Sequence, residues 1–277
     1  QNFTLAFDRA TGFITRYEVG GNSLLGEGGS LKPNFWRAVT DNDMGAQSQK
    51  NFAAWRTPKM KLRSLTVDKK LKTVVAVYNM PAVKSTLTLT YQVEANGTLV
   101  VTQDLKTTPG AKVSEMLRFG MVMNLPYDMD QVQWNGRGPV ENYSDRKISQ
   151  NVGIYHATAD DLFYPYVRPQ ETGTMSDLRW WNQTNKNGVG FRVESDKLFS
   201  ASALHYDLLT LDEGKEKKQR HSQSVEKSKY TNLFIDLVQS GVGGVDSWGV
   251  DGRARKGHRV EYKDYTFSFR IAPKTLY

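Results

Sequence analysis

The chain has 277 residues, 39% of them hydrophobic and 11% aromatic, with a net charge of +8 and no cysteine. That length holds one large domain or two ordinary ones, and that apolar content is enough for a core, which excludes wholesale disorder. The missing cysteines exclude disulfides, thiolate chemistry and cysteine-based zinc sites. No apolar run is long enough to span a bilayer, and the cations are spread along the chain, so neither a membrane nor nucleic acid is expected as a partner.

In chain order, Gln1–Phe7 already reads as a strand, so the sequence looks like a piece of something longer, and no charged, then apolar leader opens it. Gly12–Val19, Leu62–Asp68 and Thr73–Asn79 follow as strand candidates. Thr86–Val93 alternates cleanly, with Leu87, Leu89, Tyr91 and Val93 on one face. Glu94-Ala95-Asn96-Gly97 then turns the chain into Thr98–Thr102. Val113–Asn124 and Gln131–Trp134 come next. Asp177–Thr184 and Val189–Glu194 form a second hairpin about Asn185–Gly188, before Phe199–Tyr206, Tyr230–Val238 and Val260–Ile271. The one helical candidate is Gln47–Trp55, where Phe52 and Trp55 can share a face. The charged runs Lys215–Arg220 and Arg253–Arg259 read as solvated hairpin tips. Strands joined by hairpins without intervening helices predict one all-β domain over residues 1–277, built of two large packed antiparallel sheets.

Four clusters stand out from this background. In Pro33–Asp43, Arg37 lies close to Asp41 and Asp43 on a loop that favours Asx turns; the carboxylates could hold a hard cation, but the spaced ligands of a calcium loop are missing and a structural ion pair is favoured. Gly136–Arg146 carries Gly138-Pro139, Glu141, Tyr143, Asp145 and Arg146, which read as a rigid turn, a buried tyrosine and a fixed ion pair. In Tyr164–Gly173 two prolines hold an extended segment displaying Tyr164 and Tyr166, with Glu171 on a turn. The fourth cluster, Ser240–Gly249, places three glycines (Gly241, Gly243, Gly244) ahead of Asp246, Ser247 and Trp248. Glycine there permits φ > 0 or a close approach of backbone to another surface. An indole on such a loop is either a plug for the core or a platform for the apolar face of a sugar, with Asp246 and Ser247 near enough to bond hydroxyls. His156, His205, His221 and His258 show no helical metal-site spacing, and His221 reads as structural.

Taken together and in this order, the four clusters resemble the C-terminal small-chain domain of the large lacZ-type β-galactosidases of glycoside hydrolase family 2, from about Leu31 to the C-terminus. The resemblance implies a large antiparallel β-supersandwich of the galactose-mutarotase-like kind, fused behind a catalytic barrel that carries both catalytic glutamates. This chain is then expected to hold no catalytic residue and no cofactor, although parent enzymes of the family commonly use Mg and Na. It also implies that Trp248 of Gly243-Gly244-Val245-Asp246-Ser247-Trp248 reaches the barrel mouth and stacks on the sugar, so substrate contact is expected at Trp248, Asp246 and Ser247. The partners implied are a β-galactoside and the barrel of the same polypeptide, in a parent that can be homo-oligomeric, cytoplasmic or periplasmic. Two other readings stay open: a stand-alone carbohydrate-binding module with Tyr164, Tyr166, Trp180 and Trp181 as platforms, and an aldose epimerase, which needs a His and Glu acid/base pair in one groove.

Overall fold

The structure is a computed structural model and describes residues 2–216, 218 and 220–274. Lys217 and Gln219, in the charged run Lys215–Arg220, and Gln1 of the opening strand lie outside the described residues. Among the described residues fifteen strands follow one another: β1 (Phe3–Phe7), β2 (Ile14–Val19), β3 (Asn22–Ser23), β4 (Leu31–Asn34), β5 (Lys61–Asp68), β6 (Thr73–Met80), β7 (Ser85–Val93), β8 (Leu99–Thr107), β9 (Arg118–Pro126), β10 (Gln131–Gly138), β11 (Asn151–Thr158), β12 (Met175–Thr184), β13 (Gly190–Leu204), β14 (Tyr230–Gln239) and β15 (Tyr265–Lys274). Every pairing between them is antiparallel. Among the described residues helix is confined to single turns, and Gln47–Trp55 supplies two of them: α1 (Asp41–Gly45) is followed by α2 (Ser48–Asn51) and a 3-10 turn at Ala53–Trp55. Phe52 and Trp55 are both buried, as their spacing predicts.

The alternation seen in the sequence is the alternation of burial. Along β7, Leu87, Leu89 and Tyr91 are fully enclosed while Thr86, Thr88 and Thr90 face outward or sideways. Each fully buried aliphatic side chain of this kind contributes about 1.5–3 kcal/mol. Trp36, Trp55, Trp134 and Trp181 anchor the same core.

Two expectations are corrected. The all-β, antiparallel fold is as expected, but the two packed sheets are hydrogen-bonded into one fifteen-stranded sheet that runs β1-β2-β4-β9-β14-β13-β15-β8-β7-β6-β5, with β10, β11 and β12 branching from β13 and β3 beside β2. The junction is β13 itself. Val189–Glu194 and Phe199–Tyr206 are the two halves of that one strand; Gly190–Glu194 pairs with β15, and Ser200–Leu204 pairs with β14. The exposed stretch between them, Asp196-Lys197-Leu198, is where the chain passes from one region to the other. The second correction concerns Val113–Asn124: its first residues lie outside the ladder except for the bridge Met116–Val260, and β9 starts at Arg118.

Candidate functional site

The Ser240–Gly249 loop leaves the end of β14 and is fixed from three sides. The buried Arg37 guanidinium donates to the carbonyls of Ser240 and Gly241 (2.8 Å to the latter). The same guanidinium forms a fork with Asp43, at 3.0 Å from Nε and 2.9 Å from a terminal nitrogen. Asp43 in turn closes a capping box with Thr40 at the start of α1. From the second side, the Asp145 carboxylate accepts the Val242 N–H at 3.0 Å and the Gly243 N–H at 2.9 Å. On the third, Asn42 Nδ2 donates to the Asp246 carbonyl at 2.9 Å. Asp145 is therefore a loop anchor; the ion pair of its cluster joins Arg146 to Glu141 at 2.6 Å.

Close approach, not φ, explains Gly241 and Gly244 of the motif. Gly241 lies outside the positive-φ region, but a Cβ there would sit 2.2 Å from the Asp145 carboxylate. Opposite the loop, a Cβ on Gly45 of α1 would sit 1.9 Å from the Ser247 carbonyl oxygen. The loop is thus packed backbone against backbone on α1, and any side chain at these two positions displaces it.

This packing throws Trp248 outward. Its side chain is 73% exposed, so it is not a core plug in this chain. Asp246 shapes the loop through an Asx turn, its Oδ1 accepting the Trp248 N–H at 3.0 Å. Ser247 is exposed beside it. The three residues expected at a sugar site therefore stand together on one pinned loop. An open cleft of 280 Å3 runs alongside, lined by Gly45, Gln47, Asn51, Gly249, Val250 and Arg253.

Beneath the loop, at the end of β14, lies a buried polar network. Arg118 contacts Glu171 and Asp236, each at 3.1 Å, and donates to Gln239 at 3.0 Å. Thr174 donates to Glu171 at 2.8 Å. Full burial pushes the Asp236 carboxyl up to about 8, with Arg118 opposing and Glu171 adding to the rise. The folded chain thus holds a proton on Asp236 below about pH 8, which the unfolded chain, with an ordinary carboxylate near 3.8, has already released. Stability from this group is then fully present below about pH 4 and falls as pH rises toward 8. Asp236→Asn is expected to flatten the fall in melting temperature between pH 5 and 8, measured against the wild type by thermal unfolding; an unchanged slope overturns the assignment.

The other clusters are architectural. Asp43 uses both oxygens on Arg37, and Asp41 is engaged by Arg168 at 2.9 Å and Gln170 at 3.1 Å, so this pair does not offer the open oxygens that Mg or Na requires. Glu141 accepts from Arg146, Tyr166, Thr172 and the Gly173 N–H. Trp181 is fully buried, and Trp180 lies under the Arg192 guanidinium at 4.5 Å, which removes both as open platforms. His205 is buried against Tyr127, with ring centroids 3.9 Å apart. The local motif discloses the Trp248 loop but not its anchors. Asp145 and Arg37 meet it across 97 to 204 residues, and the only local sign was their place in clusters of their own.

The family model described as the β-galactosidase small chain matches residues 1–271. A β-galactosidase of Priestia megaterium is 31% identical over 98% of this chain, and one of Lactobacillus delbrueckii subsp. bulgaricus is 33% identical over 90%. The chain spans only 26% and 24% of the length of those two relatives. Among solved structures, a putative aldose 1-epimerase of Escherichia coli K12 shares the fold, with a TM-score of 0.54 at 10% identity, covering 99% of this chain and 96% of that one. The chain belongs to the β-galactosidase small-chain family.

Proposed function

We propose that these residues form one domain of a larger polypeptide that hydrolyses terminal β-galactosides such as lactose, and that the domain completes the substrate site of a catalytic barrel supplied by the rest of that polypeptide. The observation that carries this reading is the exposed Trp248 on a loop held rigid by Arg37, Asp145 and Asn42. An indole on a backbone fixed in this way offers a flat apolar face to the C–H side of a pyranose with little backbone entropy lost on binding. Asp246 Oδ2 and the Ser247 hydroxyl stand beside it as hydrogen-bonding groups.

Glycoside hydrolysis requires two carboxyl groups across the scissile bond, one as acid and one as nucleophile or base. The enclosed carboxylates here are committed elsewhere: Asp43 to Arg37, Glu171 and Asp236 to Arg118, Asp212 to Arg56 and Trp36, and Glu213 to Arg168. The chemical step is therefore assigned to carboxylates outside this chain, and the role left here is orientation of the sugar. The purified 277-residue chain is expected not to hydrolyse an aryl β-galactoside above background. Turnover that disappears on a single Glu→Gln change within these residues would overturn the proposal.

A further inference from the structure

A second concavity lies away from the Trp248 loop, on the sheet face opposite the core. In β9 and β14 the side chains of Met121, Met123, Leu125, Leu233 and Ile235 point into the core and are fully buried. The alternate positions therefore line the other face. The register sets Asn124 opposite Asn232 and Val122 opposite Phe234, with Lys32 of β4 beside Val122. The groove over them has a volume of 620 Å3, inside the 300–1,000 Å3 of ordinary small-molecule sites, and none of the residues lining it belongs to the Ser240–Gly249 loop.

The polar groups of this groove are prearranged. Asn124 Nδ2 donates to Asn232 Oδ1 at 2.8 Å, and Asn232 Nδ2 donates to Asp207 Oδ1 at 3.1 Å, so the two amides form a fixed floor. Among the described residues both bonds to Asp207 fall on Oδ1, which leaves Oδ2 open to an incoming hydroxyl. Arg56, which lines the groove, meets Asp212 through Nε. Asn34 also lines the groove, its Oδ1 fixed by the Trp36 N–H at 3.2 Å. Across from these groups, Met60, Leu208 and the half-exposed Leu209 make an apolar wall.

We propose that this groove binds a neutral saccharide at a site separate from Trp248. Carboxylate, guanidinium and amide are planar groups that each present paired atoms to vicinal hydroxyls, with donors and acceptors both supplied. The apolar wall suits the C–H face of the same ring. An anionic ligand is disfavoured, because Asp207 faces the groove and Asp212 neutralises Arg56.

The test is titration of the 277-residue chain with lactose and, separately, with galactose, up to about 50 mM, which saturates a site whose Kd is on the order of 1 mM. Backbone amide NMR shifts are the readout. At least one sugar is expected to give saturable shifts confined to residues around Lys32, Asn124, Asp207 and Asn232. Lys32→Ala and Asp207→Asn, both at exposed positions, are expected to weaken Kd about tenfold each with the melting temperature unchanged. Trp248→Ala should leave Kd where it is, so this site can stand or fall without the proposed role of Trp248. The inference is overturned by the absence of saturable shifts with either sugar, by shifts centred on the Trp248 loop, or by a Kd that neither groove variant moves.

Discussion

Arg37→Met is expected to destabilise the chain by about 3–5 kcal/mol, the usual cost of removing one partner of a buried ion pair. Arg37 is fully enclosed, and Asp43 is 4% exposed. The substitution strands a buried carboxylate and also leaves the Ser240 and Gly241 carbonyls without their donor. Arg37→Lys should recover only part of the loss. An ammonium keeps the charge but not the planar fork that reaches Asp43 and both carbonyls at once. The pair Arg37→Met with Asp43→Leu should be less damaging than Arg37→Met alone, because no uncompensated charge then remains inside. Denaturant unfolding of the four chains measures all three comparisons. Equal midpoints for wild type and Arg37→Met would show that the fork contributes nothing, and the account of how the Trp248 loop is held would fail with it.

What the sequence made legible, and what it hid, follows from the range of the interactions. Leu87, Leu89 and Tyr91 announce β7 because one face of that strand is core and the other is not, and period two is a local signal. β11 carries no such signal, for the converse reason. Its Val152 and Ile154 are exposed, while Tyr155 and Ala157 are only partly covered, so apolar and polar residues do not sort onto two faces. β13 reads as two strands because Asp196-Lys197-Leu198 is exposed and begins with two charged residues, like a turn, and only its long-range pairing with β14 and β15 reveals a single strand. At the site the same division holds. The Asx turn from Asp246 to Trp248 spans two residues and belongs to the local motif. The grip of Asp145 on Val242 and Gly243 spans about a hundred residues, and no local pattern encodes it. The motif thus disclosed that an indole is presented, and the fold discloses what holds it still.

Trp248→Ala is expected to leave the 277-residue chain standing and to impair the complete enzyme. A buried tryptophan replaced by alanine costs about 3–5 kcal/mol. Trp248, at 73% exposed, has little area to lose, so its removal should cost under about 1 kcal/mol in denaturant unfolding of this chain. In the complete polypeptide the proposed stacking buries about 50–100 Å2 of ring against the sugar, worth roughly 1–3 kcal/mol at 25 cal/mol per Å2. That corresponds to a KM raised about ten- to a hundredfold, at 1.4 kcal/mol per factor of ten. Turnover at saturation should fall much less. The indole supplies contact area to bound substrate and transition state alike, and brings neither proton nor charge to the reacting carbon. Trp248→Phe should restore part of the affinity, since a smaller ring keeps the apolar face; Trp248→Leu should restore less, because a branched aliphatic chain offers no flat surface. Kinetics of the complete enzyme across this series separate a platform from a packing residue. A variant that unfolds this chain, or that lowers kcat and leaves KM unchanged, would take Trp248 out of the substrate site and give the loop a purely structural role.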